Sequence, residues 1–187
     1  MDKKRVIIET LPMLFLCILG GALAGSVLAG MERVLDMIPG LIIIVPAVIG
    51  MRGNISTTLG SRLGSAYHLG LLNQGLTSDA GKENIKGSLA LSLFTSALFP
   101  VFLWGLSFFL PYEVSYAIIG VIFLVSVFTG VTAALILVFL TFSILAFSMK
   151  VNVDPDNITG PILTTAGDVI TLIFLFGYAN LFGWLIL

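Results

Sequence analysis

Residues 114–149 read VSYAIIGVIFLVSVFTGVTAALILVFLTFSILAFSM, without one charged side chain. A block of roughly 18 or more apolar residues can span the hydrocarbon of a bilayer as a helix. At about 1.5 Å per residue this block would be roughly 50 Å long if straight, against a ~30 Å hydrocarbon core. It is expected to tilt strongly, to bend near Gly130, or to project beyond the membrane.

Working outward, the same criterion marks four more spans, at about 6–29, 38–66, 87–110 and 156–187, beside the one at 114–149. The expected fold is all-α: a polytopic membrane protein of about five transmembrane helices, forming one transmembrane domain over residues 1–187. The composition agrees. The chain is 58% hydrophobic and only 10% charged, whereas soluble domains carry about a quarter of charged residues. So few charges could not clothe a soluble core. No cluster of Lys and Arg points to nucleic acid, and the net charge of −1 singles out no partner. The single cysteine, Cys17, excludes an intrachain disulfide. Lys3, Lys4 and Arg5 ahead of an apolar stretch give the outline of a signal peptide. That stretch is too long and ends in no clear cleavage site, so it is read as the first span.

Charge asymmetry sets the expected orientation. Lys3, Lys4, Arg5, Lys82, Lys86 and Lys150 fall on one side of a five-span arrangement, and only Arg33 falls on the other. The positive-inside rule then places the N-terminus in the cytoplasm and the C-terminus outside the cell membrane. Within span 1, Gly21, Gly25 and Ala29 form a small-residue stripe that lets another helix approach closely. In span 2, Pro46 is expected to kink the helix. Residues 67–86 read as a polar connection, and Pro111 closes span 3. No soluble regulatory domain fits in this length.

Asp168 is the sharpest chemical signal. It lies about twelve residues into the last span, roughly 18 Å deep and near the bilayer midplane. A carboxylate there is costly and turns toward a cavity or a partner. Asn157, Pro161, Thr164, Asp168 and Thr171 are spaced four, three, four and three, so they share one helix face. Their oxygens suit a hard cation such as Mg²⁺, Ca²⁺ or Na⁺. Span 2 repeats the arithmetic with Asn54, Thr58, Ser61, Ser65 and His68. Counted from the inner surface, Asn54 and Asp168 fall at similar depths, so the two stripes could line one water-filled path. Two blander readings stand beside this. Asp168 could pair with Arg52 and merely hold spans 2 and 5 together, and the hydroxyls could bond to their own helices.

Other polar residues carry less. An arginine lining a cation path would repel the cation, so Arg52 is expected to face away from it or to pair with an acid. Arg62 lies near the inner surface and can snorkel. Gly60 and Gly64 suit helix packing, and His68 is interfacial. Glu32, Asp36, Asp79, Glu83 and Glu113 read as solvated loop charges. The run from Asp154 through Pro155 and Asp156 to Asn157 reads as a helix cap or as an acidic inner mouth, capping being preferred. Metalloprotease, nucleophile-elbow and P-loop signatures are missing, so no enzyme is expected.

Residues 46–63, PAVIGMRGNISTTLGSRL, and residues 154–168, DPDNITGPILTTAGD, together resemble the transmembrane domain of the MgtE family of magnesium transporters. They are closer still to the eukaryotic solute carriers of that superfamily. The resemblance spans essentially the whole chain. It implies a homodimer with a pore between protomers, lined mainly by the second and fifth helices. It implies a central Mg²⁺ site at Asp168, with a backbone carbonyl contributed by Thr164, and places Gly160 beside the path. Gly160 and Gly167 depart from bacterial members, and the cytosolic magnesium-sensing domains of those members have no counterpart in these residues.

If the dimer axis runs through the pore, two copies of Asp168 balance one divalent ion. Mg²⁺ dehydrates reluctantly and keeps several waters while binding one or two carboxylates. The expected metal-contacting set is Asp168 at the centre, with Thr164, Asn54 and Asn157 orienting hydration water and Gly160 alongside. The expected function is transport of divalent cations, Mg²⁺ first, across the cytoplasmic membrane, by a homodimer or a pair with a paralogous half-size chain. The alternatives are an exchanger coupling Mg²⁺ to Na⁺ or H⁺, and a non-transporting membrane subunit with Asp168 in a structural ion pair.

Overall fold

Backbone amides in hydrocarbon have no water to bond, so apolar blocks of this length close their hydrogen bonds internally, as helices. In the computed structural model the chain forms α1 (Lys3–Ala29), α2 (Glu32–Met37), α3 (Leu41–His68), α4 (Asp79–Ser107), α5 (Tyr116–Lys150) and α6 (Pro155–Gly183), then a 3₁₀ turn at Trp184–Ile186. The structure describes residues 3–72, 77–109, 114–150 and 155–186, and excludes the side chains of residues 3–6, 9, 149 and 155–157. Five of the helices, all but α2, are long and apolar enough to cross a membrane. The protein is a multi-pass membrane protein.

Two features differ from the sequence expectation. First, α2 is a short helix between the first two spans. It seats Met31, Val34 and Ile38 in the core before the chain turns at Gly40 into α3. Gly40 has φ +87°, and a Cβ there would sit 3.0 Å from the Leu103 side chain, so glycine is required twice over. Second, α4 starts at Asp79, inside the stretch expected to be a polar connection. Ser78 caps it, accepting a hydrogen bond from the Gly81 N–H at 3.1 Å. α3 and α5 are each assigned as one helix, with Pro46 inside the first and Gly130 inside the second. Pro111 lies outside the described residues.

We call the side on which α1 begins the near side. α6 is the central helix, packed against α1, α3 and α5, while α4 packs against α3 and α5. The larger apolar core lies toward the far side and joins Ile38, Leu41, Val45 and Val48 to Leu103, Ile122, Val125, Leu172 and Leu175. A smaller cluster of Leu59, Leu63, Val138 and Leu145 lies toward the near side. α1 buries little, and its Ile8, Leu11, Phe15 and Leu19 point outward. The stripe it packs on α6 is displaced by one residue from expectation. Ala24 is buried and Gly20 lies against Thr165, whereas Gly21 and Gly25 face open space.

Candidate cation path and its polar support

Between the two apolar clusters lies a polar layer built on Arg52. Arg52 is 1% exposed and near the midpoint of α3. A buried charge without partners is expensive, and three groups on α4 meet this one. Arg52 Nη1 donates to Ser92 Oγ. Arg52 Nη2 donates to Ser96 Oγ at 2.9 Å and, more weakly, to the Ser92 carbonyl at 3.4 Å. The serines tie α4 to α5 in turn. Ser92 Oγ donates to the Gly130 carbonyl at 2.9 Å, and Ser126 Oγ donates to the Ser96 carbonyl at 2.9 Å. Ser88, Ser92 and Ser96 recur every fourth residue, and all are buried. Gly130 admits them because a Cβ there would collide with Ser96 Oγ and lie 2.7 Å from Arg52 Nη2. Among the described residues, Arg52 forms no ion pair with any acid.

Asp168 lies on the opposite flank of α3, at the centre of α6. It is half-buried. Among the described residues it has neither an ion pair nor a hydrogen-bond partner. The two charges expected as alternative partners are thus kept apart, and Arg52 faces away from α6. One turn before Asp168, Thr164 Oγ1 donates to the carbonyls of Gly160 and Pro161 at 3.1 and 3.0 Å. Thr165 Oγ1 and Cys17 Sγ also donate to the Pro161 carbonyl, at 3.0 and 3.2 Å. Pro161 has no N–H, so the Asn157 carbonyl loses its usual helix donor. The Asn157 side chain, and with it the Asp154–Pro155–Asp156 cap, lies outside the described residues. Gly160 faces open space. Thr171, expected on the same face, is fully buried with its hydroxyl unpaired, so the polar column turns inward above Asp168.

The register between α3 and α6 follows from two close approaches. Gly53 lies against Thr164, and Gly60 lies against Thr159 and Leu163. Numbers rise on one helix as they fall on the other, so the pair is antiparallel. A third, Gly167 against Ser56, completes the set, and together these contacts place Asp168 level with the turns of α3 that run from Gly50 to Asn54. Gly50 is exposed and has open space around it. Direction, not depth, differs from the expectation. Asn54 and Thr58 are exposed and border a groove against Ser88 and Leu91 of α4. Within one chain they do not face Asp168.

Two residues with a place beside α6 were missed in the sequence. Thr57 is half-buried one turn after Gly53, on the same helix face, and donates to the Gly53 carbonyl at 2.9 Å. Gly50 is exposed, with open space around it. The spacing of Gly50, Gly53, Thr57 and Gly60 was the available signal, hidden by the more polar stripe next to it. Hydroxyls that donate to their own helix keep oxygen lone pairs for other partners. Thr57 and Thr164 thereby present acceptors only. Such a wall suits a hydrated cation, whose waters turn their hydrogens outward. Among the described residues no three His, Cys, Asp or Glu side chains are grouped to hold a metal. One chain supplies a single carboxylate to this path among the described residues, short of a dehydrating cage.

Comparison with known proteins points the same way. The family model MgtE, described as a divalent cation transporter, matches residues 45–178. The chain is 34% identical over 172 residues to solute carrier family 41 member 2 of Xenopus laevis, covering 81% of this chain and 28% of that protein. It is 32% identical over 168 residues to the Homo sapiens protein of that name, with the same coverage. It is 28% identical over 180 residues to the magnesium transporter MgtE of Bacillus subtilis, covering 92% of this chain and 36% of the relative. The chain thus spans 28% of the length of the solute carriers it matches. No solved structure matches it.

Proposed function

The chain belongs to the MgtE family of divalent cation transporters, and on that premise we propose that it passes a divalent cation, Mg²⁺ first, across the cell membrane at an axis where two chains meet. The observation that carries this reading is Asp168, an unpartnered, half-buried carboxylate at the centre of a membrane-spanning helix. Such a group is retained against a large desolvation cost only where an ion, water or another chain meets it. The proteins named above are transporters, and enzyme chemistry is not part of this reading.

Two copies of Asp168 would supply two negative charges, matching one Mg²⁺. The ion keeps most of its water. Thr164, Thr57 and Asn54 supply acceptors to that water, Asn157 lies at the near-side entrance, and Gly160 and Gly50 leave it room. The polar face of α3 supports the need for a second chain, because Asn54, Thr58, Ser61 and Ser65 are all exposed in the single chain. Against lipid such a face is unfavourable, and against a matching chain it becomes the wall of a wet path. The partner is a second copy or a paralogous chain of similar size. The near side is cytoplasmic, as the excess of Lys and Arg there supports. The ion-pair alternative loses its partner, since Arg52 is engaged by Ser92 and Ser96.

The decisive test is Mg²⁺ uptake into liposomes, wild type against Asp168→Asn. At an effective dielectric of 20, one carboxylate attracts a divalent ion at 5 Å by roughly 6 kcal/mol before screening. Losing even a quarter of that predicts a fall in flux of about tenfold. Equal flux in the two proteins ends the central-site reading. Imposing a Na⁺ or proton gradient separates a channel, whose Mg²⁺ flux is indifferent to it, from an exchanger.

A further inference from the structure

Ser88 is the rung of the α4 serine ladder that does not engage Arg52. It is buried, yet among the described residues its hydroxyl has no hydrogen-bond partner. Arg52 carries a matching deficit. Its Nη1 and Nη2 donate to Ser92 and Ser96, but its Nε–H is buried with no protein acceptor. A buried donor without an acceptor costs more than an ordinary hydrogen bond contributes, and the more so on a charged group.

Arg52 and Ser88 border one small cavity between α3, α4 and α5, about 10 Å³ in volume. Ser92 and Ser96 do not line it, so it meets Arg52 away from their contacts. Ser56 and a ring of aliphatic side chains, Leu137 and Val138 among them, make the rest of its wall. A space of this size accommodates a single water molecule. An apolar cavity stays dry, whereas a polar one holds a water that makes about three hydrogen bonds. Three polar groups stand here. Arg52 Nε–H can only donate. Ser56 Oγ spends its hydrogen on the Arg52 carbonyl, so it can only accept. Ser88 Oγ can do either. Water, with two hydrogens and two lone pairs, answers all three at once. A halide would neutralise the guanidinium, but it is larger than a water and would face the lone pairs of Ser56. The cavity shares Ile55, Leu59 and Ser88 with the wall of the α3–α4 groove, which gives a water its entry.

We propose that this cavity binds one water molecule, which accepts from Arg52 Nε, donates to Ser56 Oγ and bonds to Ser88 Oγ. The water is a third link between α3 and α4, after Ser92 and Ser96, and it brings all three rungs of the ladder into the support of Arg52. This goes beyond the transport reading, because Asp168 can serve as a cation site whether or not the water is bound.

The test is a crystal structure of the full chain at a resolution that shows ordered water, grown in chloride and again in bromide. The expected result is one peak within hydrogen-bonding distance of Arg52 Nε and Ser88 Oγ, without anomalous signal from bromine. In detergent, Ser88→Ala is expected to lower the melting temperature by about 2 to 4 °C, as loss of one hydrogen bond in a chain of this size implies. Exchanging chloride for gluconate at equal ionic strength is expected to leave it unchanged. A dry cavity overturns the proposal, as does a direct bond from Arg52 Nε to Ser88. So does bromide in the site, or a melting temperature that falls in gluconate, because Arg52 would then hold an anion. A Ser88→Ala chain as stable as wild type overturns it too, because Ser88 would then hold no water.

Discussion

Arg52 and Asp168 both stand near the midpoint of a membrane-spanning helix, and the fold encloses one while leaving the other open. Arg52 is inserted among α3, α4 and α5, where serine hydroxyls and a backbone carbonyl accept its hydrogens. Asp168 sits on the opposite flank of α3, half-buried and without a hydrogen-bond or ion-pair partner among the described residues. The difference is not one of depth, since both helices carry their charge at the centre. It lies in what the neighbouring helix offers. α4 brings a ladder of serines and α5 a glycine at the contact, so a guanidinium finds acceptors in a space of its own size. The α3 face beside Asp168 brings Gly50, with open space around it, and a Thr57 hydroxyl already engaged by its own helix. A charge held through both terminal nitrogens ties α3 to α4, although its Nε is buried without a protein partner, and on the transport reading proposed above the open one meets an ion. The enclosed arginine is thereby a positioning group for the face that α3 presents to α6.

The largest stability effect is expected where the enclosed charge is removed. Arg52→Ala deletes at least two charge-assisted hydrogen bonds and leaves a void among three helices. Together these should lower stability by about 3 kcal/mol or more. Thermal unfolding in detergent measures it. A change below about 1 kcal/mol would show that the polar layer contributes little and that the contrast with Asp168 is one of geometry alone. Replacing the same residue by Lys should recover only part of the loss, because a single ammonium cannot span Ser92 and Ser96 as the planar fork does.

Gly130→Ala comes next. The added methyl would displace Ser96 Oγ and crowd Arg52 Nη2, whose mutual hydrogen bond holds α4 to α3. Overpacking of this kind costs about 1 to 3 kcal/mol. If the α4 serine contact can yield, the cost falls to the lower end, which the same unfolding measurement reads out.

Much of the fold was legible before any coordinates, for a physical reason. Hydrocarbon imposes one secondary structure on any long apolar run, so residues 114–149 or 156–187 allow little choice. α2 and the first turns of α4 were not legible, because hydropathy reports the bilayer and not the helix. Glu32–Met37 is short and charged, and 79–86 is polar yet helical by virtue of a Ser78 cap. The site divides the same way. Asp168 stood out because its position is expensive, and the electrostatic argument correctly turned Arg52 away from α6. Periodicity told which residues share a face but not which neighbour that face meets. Asn54 and Thr58 consequently lie by the α4 groove, while the less polar Gly53 and Thr57 stand on the face beside α6. Ser88, Ser92 and Ser96 went unnoticed because a serine in an apolar helix gives no signal until a buried charge is found to need it.

The smallest expected effect is the most diagnostic, a coupling energy between the two charges that is close to zero. In a double-mutant cycle, Arg52→Gln alone should cost about 2 kcal/mol, since a neutral amide keeps fewer of the hydrogen bonds to Ser92 and Ser96. Asp168→Asn alone should change stability by less than about 1 kcal/mol, because the carboxylate has no protein partner among the described residues. Sites without shared partners add to within about 0.5 kcal/mol, so the double variant should equal the sum of the singles. If the double variant instead regains wild-type stability, the two charges interact and the ion-pair reading returns. Additivity together with lost Mg²⁺ flux in Asp168→Asn separates the roles. The arginine would then hold the helix that forms the wall, and the aspartate would hold what passes along it.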